Sequence, residues 1–197
     1  GVDLGAYRAH HSEPRDLKGL PRPRLIWLGL LDKADPHLMK AALEALPEGS
    51  GSLILIGPSS PWARKMAEED SRVHLLGPRA HEDAIVYLKG SDLGLMLYRR
   101  SANPLIYIGQ HPLKLYEYAA AGLPIVSTPH EEFKHLRPPV LEADTPATVG
   151  LCVRRALEKQ DEFREEVLRF AANHTWRKRF EEAEALVKRV LTEGSSS

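Results

Sequence analysis

His111-Pro-Leu-Lys-Leu-Tyr-Glu-Tyr-Ala-Ala-Ala-Gly-Leu-Pro-Ile-Val-Ser-Thr128 is the stretch whose reading decides the fold. It predicts a short helix over 112–121 running directly into a buried strand over 124–128. Pro112 suits the first helical position, where its missing N–H would be unpaired in any case. Gly122 suits the left-handed residue that ends a helix, and Pro124 cannot continue one. The apolar run that follows is of the kind found in parallel sheets. Lys114 is out of place, because a cation in the first helical turn opposes the helix dipole. An anion bound at the same helix end would explain it. Glu117 lies one turn later on the same face. The residues alone also allow Lys114 to be a surface lysine and Glu117 its ion-pair partner or a solvated helix residue.

Working outward, strand and helix signals alternate. Apolar runs at 25–31, 53–57, 73–77 and 93–97 predict strands, and 139–141 a short sixth strand after the one at 124–128. Helices are expected over 36–46, with Asp35 as N-cap and Pro36 next, and over 61–69, 81–89 and 131–137. This alternation implies βαβ units: a Rossmann-like parallel sheet of about six strands with helices on both faces. Gly29, Gly57 and Gly77 close three of the strands, where a small residue lets a ligand approach or makes a tight turn. Extra helices follow. Asp144 is expected to cap one carrying Val149, Cys152, Val153, Ala156 and Leu157 on one face, and Phe163, Val167 and Phe170 continue the pattern. Thr175 is expected to cap a last helix with Trp176, Phe180, Ala183 and Val187 aligned. The organisation expected is a lead-in over 1–23, an α/β domain over 24–174, and a helix with a disordered tail over 175–197.

The chain has 197 residues, with 27 basic and 27 acidic side chains. That balance gives no field for steering nucleic acid. No apolar run is long enough to span a bilayer. The lone Cys152 excludes an internal disulfide and fits a reducing, cytoplasmic compartment, with a buried structural thiol as its plainest role. His130 and His135 are spaced too far round a helix to share a metal, and no Gly-x-Gly-x-x-Gly or phosphate-loop motif is present. The segment holding Tyr98, Asn103 and Tyr107 is a loop of roughly a dozen residues, a length often tied to function.

The stretch 111–128 resembles the donor-binding domain of the GT-B glycosyltransferases, retaining enzymes that use nucleotide sugars. Their usual motif has two Glu residues eight apart, then small residues, Gly and an apolar strand. Glu117 and residues 119–128 match its second half, and the first Glu position falls on Gly109. A variant branch with Pro-Leu/Met-Lys-Leu/Phe-Tyr/Phe-Glu-Tyr fits better. The resemblance implies that Gln110, His111 and Leu113 offer backbone N–H groups to the donor phosphates and sugar, and that Glu117 accepts from the ribose hydroxyls. It places Gly29 beside the donor and Arg79, in the turn 77–81, against the nucleobase. The family's usual cations after the first strand are replaced by Leu30 and Asp35, with Lys33 two residues away. Lys114, with Arg99 or Arg100, is then expected to supply charge to the diphosphate.

The resemblance implies a nucleotide-sugar donor, no metal or other cofactor, and an N-terminal acceptor domain ahead of Gly1-Val2-Asp3. Any peripheral membrane contact would come through that domain. The function expected is transfer of a sugar to a glycan or lipid-linked acceptor, with the isolated chain inactive. A nucleotide-sugar epimerase of the same fold and a non-catalytic nucleotide-sugar-binding module are the alternatives.

Overall fold

The computed structural model describes residues 1–9, 12–100 and 112–194. Six strands form one sheet: β1 Arg24–Leu28, β2 Ser52–Ile56, β3 Val73–Gly77, β4 Leu93–Met96, β5 Ile125–Ser127 and β6 Leu141–Glu142. Their order is β3-β2-β1-β4-β5-β6, and every pairing is parallel. This is the doubly wound arrangement predicted by the alternating signals. Burial on both faces explains the unbroken apolar strands. Leu25, Ile26 and Trp27 of β1, and Leu53, Ile54 and Leu55 of β2, are fully buried.

The helices are α1 Leu4–Arg8, α2 Pro36–Glu44, α3 Pro61–Glu69, α4 His81–Lys89, α5 Leu113–Ala120, α6 Phe133–Leu136, α7 Pro146–Glu158, α8 Gln160–Asn173 and α9 Trp176–Gly194. Right-handed crossovers put the helices that follow β1 and β4 on opposite faces. On one, α2 packs against α7; on the other, α5 packs against α8. Local caps set the boundaries. Asp35 accepts from the His37 and Leu38 N–H groups, as expected. Two caps shift by one residue. Pro112 is the N-cap of α5 and Leu113 its first residue. Thr145, in a reciprocal box with Thr148, caps α7 in place of Asp144, because Pro146 is then free to open the helix.

The lead-in is more ordered than its composition suggests. Asp3 caps α1, and Val2 bridges Thr175. Leu17 is fully buried against Gly90, where a Cβ would lie 2.3 Å from its Cδ2. The segment is also held at the amino edge of the sheet. Asp92 accepts from the Arg24 N–H at 2.7 Å and pairs with the Arg22 guanidinium, while the buried Arg24 side chain pairs with Glu13. At the other end, α9 presents Trp176, Phe180, Val187 and Val190 as exposed side chains.

One contact sets the placement of the site. Tyr118 of α5 is fully buried, and its hydroxyl oxygen accepts from the Leu28 N–H at 2.9 Å. Its ring fills the space over Gly94, where a Cβ would lie 2.4 Å away. The α5 helix is thereby fastened to the last residue of β1 and to β4, which fixes the direction of its first turn.

Candidate functional site

The chain leaves β1 toward β2 and β3, then returns to β4 on the other side. The carboxyl ends of β1 and β4 therefore open a crevice, the usual ligand position in such sheets. A cleft of about 580 Å³ lies there, lined by Trp27, Gly29, Lys33, Tyr98, Lys114 and Glu117, among others. Gly29 follows β1 with φ +121°, and a Cβ on it would lie 3.6 Å from the Lys114 Nζ. The motif helix, the first strand-end Gly and the displaced Lys33 are thus brought to one place.

Lys114 is half-buried in the first turn of α5. Its Nζ lies 3.4 Å from the centre of the Trp27 ring and 5.0 Å from that of Tyr98. It makes no hydrogen bond or ion pair among the described residues. Burial drives its pKa well below the ordinary lysine value; Glu117 partly restores it and Lys33 lowers it further. An ammonium that lies on aromatic faces, with no hydrogen bond among the described residues, is placed to meet an anion in the cleft. Nearby, Glu117 has its pKa raised by burial, with His81 and Lys114 acting the other way. His81 Nδ1 lies 3.2 Å from Glu117 Oε1. Behind Tyr98, His130 is buried, and burial, then Arg100 and Lys114, bring its pKa down to about 4.

A second cleft, of about 460 Å³, shares Leu113 and Glu117 with the first. Tyr7, His81 and Ile85 contribute to its walls. Leu113 is exposed between the two.

The other expected residues fall as follows. Arg79 does not line either cleft; its guanidinium donates to Asp16 at 2.8 Å and to the Tyr87 hydroxyl at 3.0 Å. Arg99 donates its backbone N–H to the Lys33 carbonyl, and Arg100 pairs with Asp144 at 3.6 Å. Gln110 and His111, like Asn103 and Tyr107, lie outside the described residues. Cys152 is half-buried, with its thiol 3.8 Å from the Glu142 carbonyl, less enclosed than the buried thiol expected from its apolar position. Trp27 and His81 are the site residues that the sequence did not single out. Trp27 read as one more apolar residue of a buried strand. His81 read as the start of a helix and the last residue of the turn 77–81, with no role of its own. Among the described residues no group of three or more His, Cys, Asp or Glu could hold a metal, and no helix is long and apolar enough to cross a membrane.

No curated protein matches the sequence. The fold is similar to that of AviGT4, a glycosyltransferase involved in avilamycin A biosynthesis, at 22% identity and a TM-score of 0.64 over 97% of this chain and 57% of that one. It is similar to HepE of Anabaena, solved in complex with UDP and glucose, at 15% identity and a TM-score of 0.72 over 95% and 55%. Sucrose-phosphate synthase of Thermosynechococcus elongatus shares it at 16% identity and a TM-score of 0.66 over 98% and 52%. The chain therefore spans little more than half the length of these structures. Residues 36–185, which carry β2 to β6 and the Lys114–Glu117 side of the cleft, match the sequence profile of the glycosyl transferase-like family. The motif, the doubly wound sheet and that match agree: the chain belongs to the glycosyl transferase-like family.

Proposed function

We propose that the chain is the donor-binding part of a glycosyltransferase that moves a sugar from a nucleotide diphosphate to a glycan or lipid-linked acceptor. The observation that carries this reading is the Lys114 ammonium, without a hydrogen bond among the described residues, facing a cleft at the sheet's switch point beside Glu117. The diphosphate lies across the start of α5, where the first-turn N–H groups and Lys114 meet it. Glu117 accepts from the ribose hydroxyls, exchanging its contact with His81 for them. The base extends into the second cleft, between α4 and α5. As the sugar–phosphate bond breaks, negative charge grows on the leaving diphosphate, and Lys114 stabilises it in a site with little water. In this reading no metal is called on.

The acceptor site belongs to a further domain, and transfer needs both. HepE carries UDP in its solved complexes, so UDP is the first ligand to test. A cytoplasmic location, where such donors are made, is part of the reading. The test is a thermal-shift screen against UDP, GDP, ADP and dTDP sugars. A ligand at about a hundred times its Kd should add about 2.7 kcal/mol, raising Tm by roughly 5–10 °C. A panel in which no nucleotide raises Tm would sink the proposal.

A further inference from the structure

Trp27 is a costly residue where it stands. It is fully buried, and its indole N–H finds no acceptor among the described residues. A Phe or Leu would fill a core strand without leaving a donor unsatisfied. What the indole offers in return is its face, the best of the side chains for holding a cation, placed 3.4 Å beneath the Lys114 Nζ. Tyr98 stands edge-on to Trp27, with ring centres 5.1 Å apart, and closes a second side of the ammonium at 5.0 Å. The two aromatics come from the carboxyl ends of β1 and β4, the strands whose parting makes the cleft.

We propose that Trp27 and Tyr98 are positioning residues for the diphosphate-binding lysine: their rings hold the Lys114 ammonium dehydrated and aimed into the cleft, so that binding a nucleoside diphosphate takes up a proton. The proposal rests on the donor-site reading above. Before a ligand binds, the ring faces replace water but accept no hydrogen bond, and the lysine gives up its proton more easily than an exposed one. The charged groups facing it are Glu117 on its own helix, with His81 of α4 beyond it, Lys33 after β1, and His130 after β5. Among the described residues only Glu117 favours the ammonium, and it is turned toward His81. An arriving diphosphate supplies the missing acceptors and restores the charge. One proton then passes from solvent to the Lys114 amine, and no covalent bond to the ligand forms.

The test is calorimetric titration of UDP at pH about 8.5 in buffers of different ionisation enthalpy, which counts protons taken up. At that pH ordinary histidines and the terminal phosphate have already lost their protons, so Lys114 is the group that responds. The native chain should take up a fraction of one proton per UDP. Lys114→Arg, charged throughout, should bind UDP with no uptake. Trp27→Leu should let water reach the ammonium, lowering both proton uptake and affinity, whereas Trp27→Phe should keep most of both. Tyr98→Leu serves as the second opened variant if Trp27→Leu fails to fold. Uptake unchanged in Lys114→Arg, or unchanged in whichever opened variant folds, overturns the proposal while leaving the donor-site reading in place. A native chain that binds no nucleoside diphosphate overturns both.

Discussion

Replacing Gly57 by Ala tests how the cleft is built. Gly57 ends β2 with φ +146°, a region that a residue with a Cβ rarely enters. A Cβ there would lie 2.0 Å from the Gly29 carbonyl oxygen and 2.8 Å from the Gly29 carbonyl carbon. Both are backbone atoms and cannot turn aside as a side chain would. An ordinary contact needs about 3.5 Å, so the two strand ends must part by more than about 1 Å. Two hydrogen bonds hold that edge: the Gly29 N–H to the Ile56 carbonyl at 2.8 Å, and the Gly57 N–H to the Gly77 carbonyl at 3.1 Å. The strained φ costs roughly 1–2 kcal/mol, and weakening the two bonds about 0.5–1.5 kcal/mol each. A total of about 2–5 kcal/mol corresponds, at this chain length, to a Tm lower by roughly 4–20 °C. Gly49 is the control, with φ +69° and nothing within 4 Å of its Cβ position. Gly49→Ala should lower Tm by about 2–8 °C, the cost of strain alone. Thermal unfolding followed by circular dichroism measures both. Equal losses in the two variants would refute the close-approach argument. Gly57→Ala should also weaken UDP binding, since Gly29 carries the loop that faces Lys114.

Asp92→Ala should remove the anchor between the lead-in and the sheet, leaving the Arg24 N–H unpaired; a loss of about 2–4 kcal/mol in denaturant unfolding is expected, and a loss below about 0.5 kcal/mol would mean that the contact is ornamental. His130 titrates near 4 when folded and near 6.5 when unfolded; only the unfolded form gains a proton between these values, so stability should fall by up to about 3 kcal/mol as pH drops through that window. His130→Phe should flatten that part of the pH–stability curve, and an unchanged curve would clear His130 of it. Glu117→Gln should cost affinity for a ribonucleotide but hardly affect a 2′,3′-dideoxy analogue, giving a coupling energy of at least about 1 kcal/mol between carboxylate and hydroxyls; a coupling near zero would remove Glu117 from the ribose. Because the folded pKa of Glu117 is raised, its charge opposes folding as pH rises above the ordinary carboxylate value. The same Gln variant should therefore be more stable than the native chain at neutral pH when no ligand is bound.

The elements legible in the sequence are those with strong punctuation. The helices opened by Pro61 and His81 and the strand ended by Gly77 fall where their signals place them. The lead-in helix escaped because five residues are too few for a helical period to show, although Asp3 is a good cap. Lys114 and Glu117 could be paired from their spacing along one helix. Their aromatic and histidine neighbours could not, because Trp27, Tyr98 and His81 reach them only through strand order and crossovers. Arg79 illustrates the same limit. Its turn was readable, but its partner Asp16 lies in a segment that looked irregular, and the guanidinium is spent on that pair and on Tyr87. Lys33 shows the reverse: out of register with the family's cation, it still reaches the cleft, because the chain makes a single 3-10 turn at Leu31–Lys33 after β1.

The central claim is that Lys114 marks a nucleoside diphosphate site. Calorimetric titration of UDP into the native chain and into Lys114→Ala tests it most directly. Loss of a hydrogen-bonded charge, about 1.5–3 kcal/mol, predicts saturable binding to the native chain and a Kd roughly ten- to a hundredfold higher in the variant, with the fold unchanged by circular dichroism. Equal dissociation constants for the two folded proteins would contradict the account.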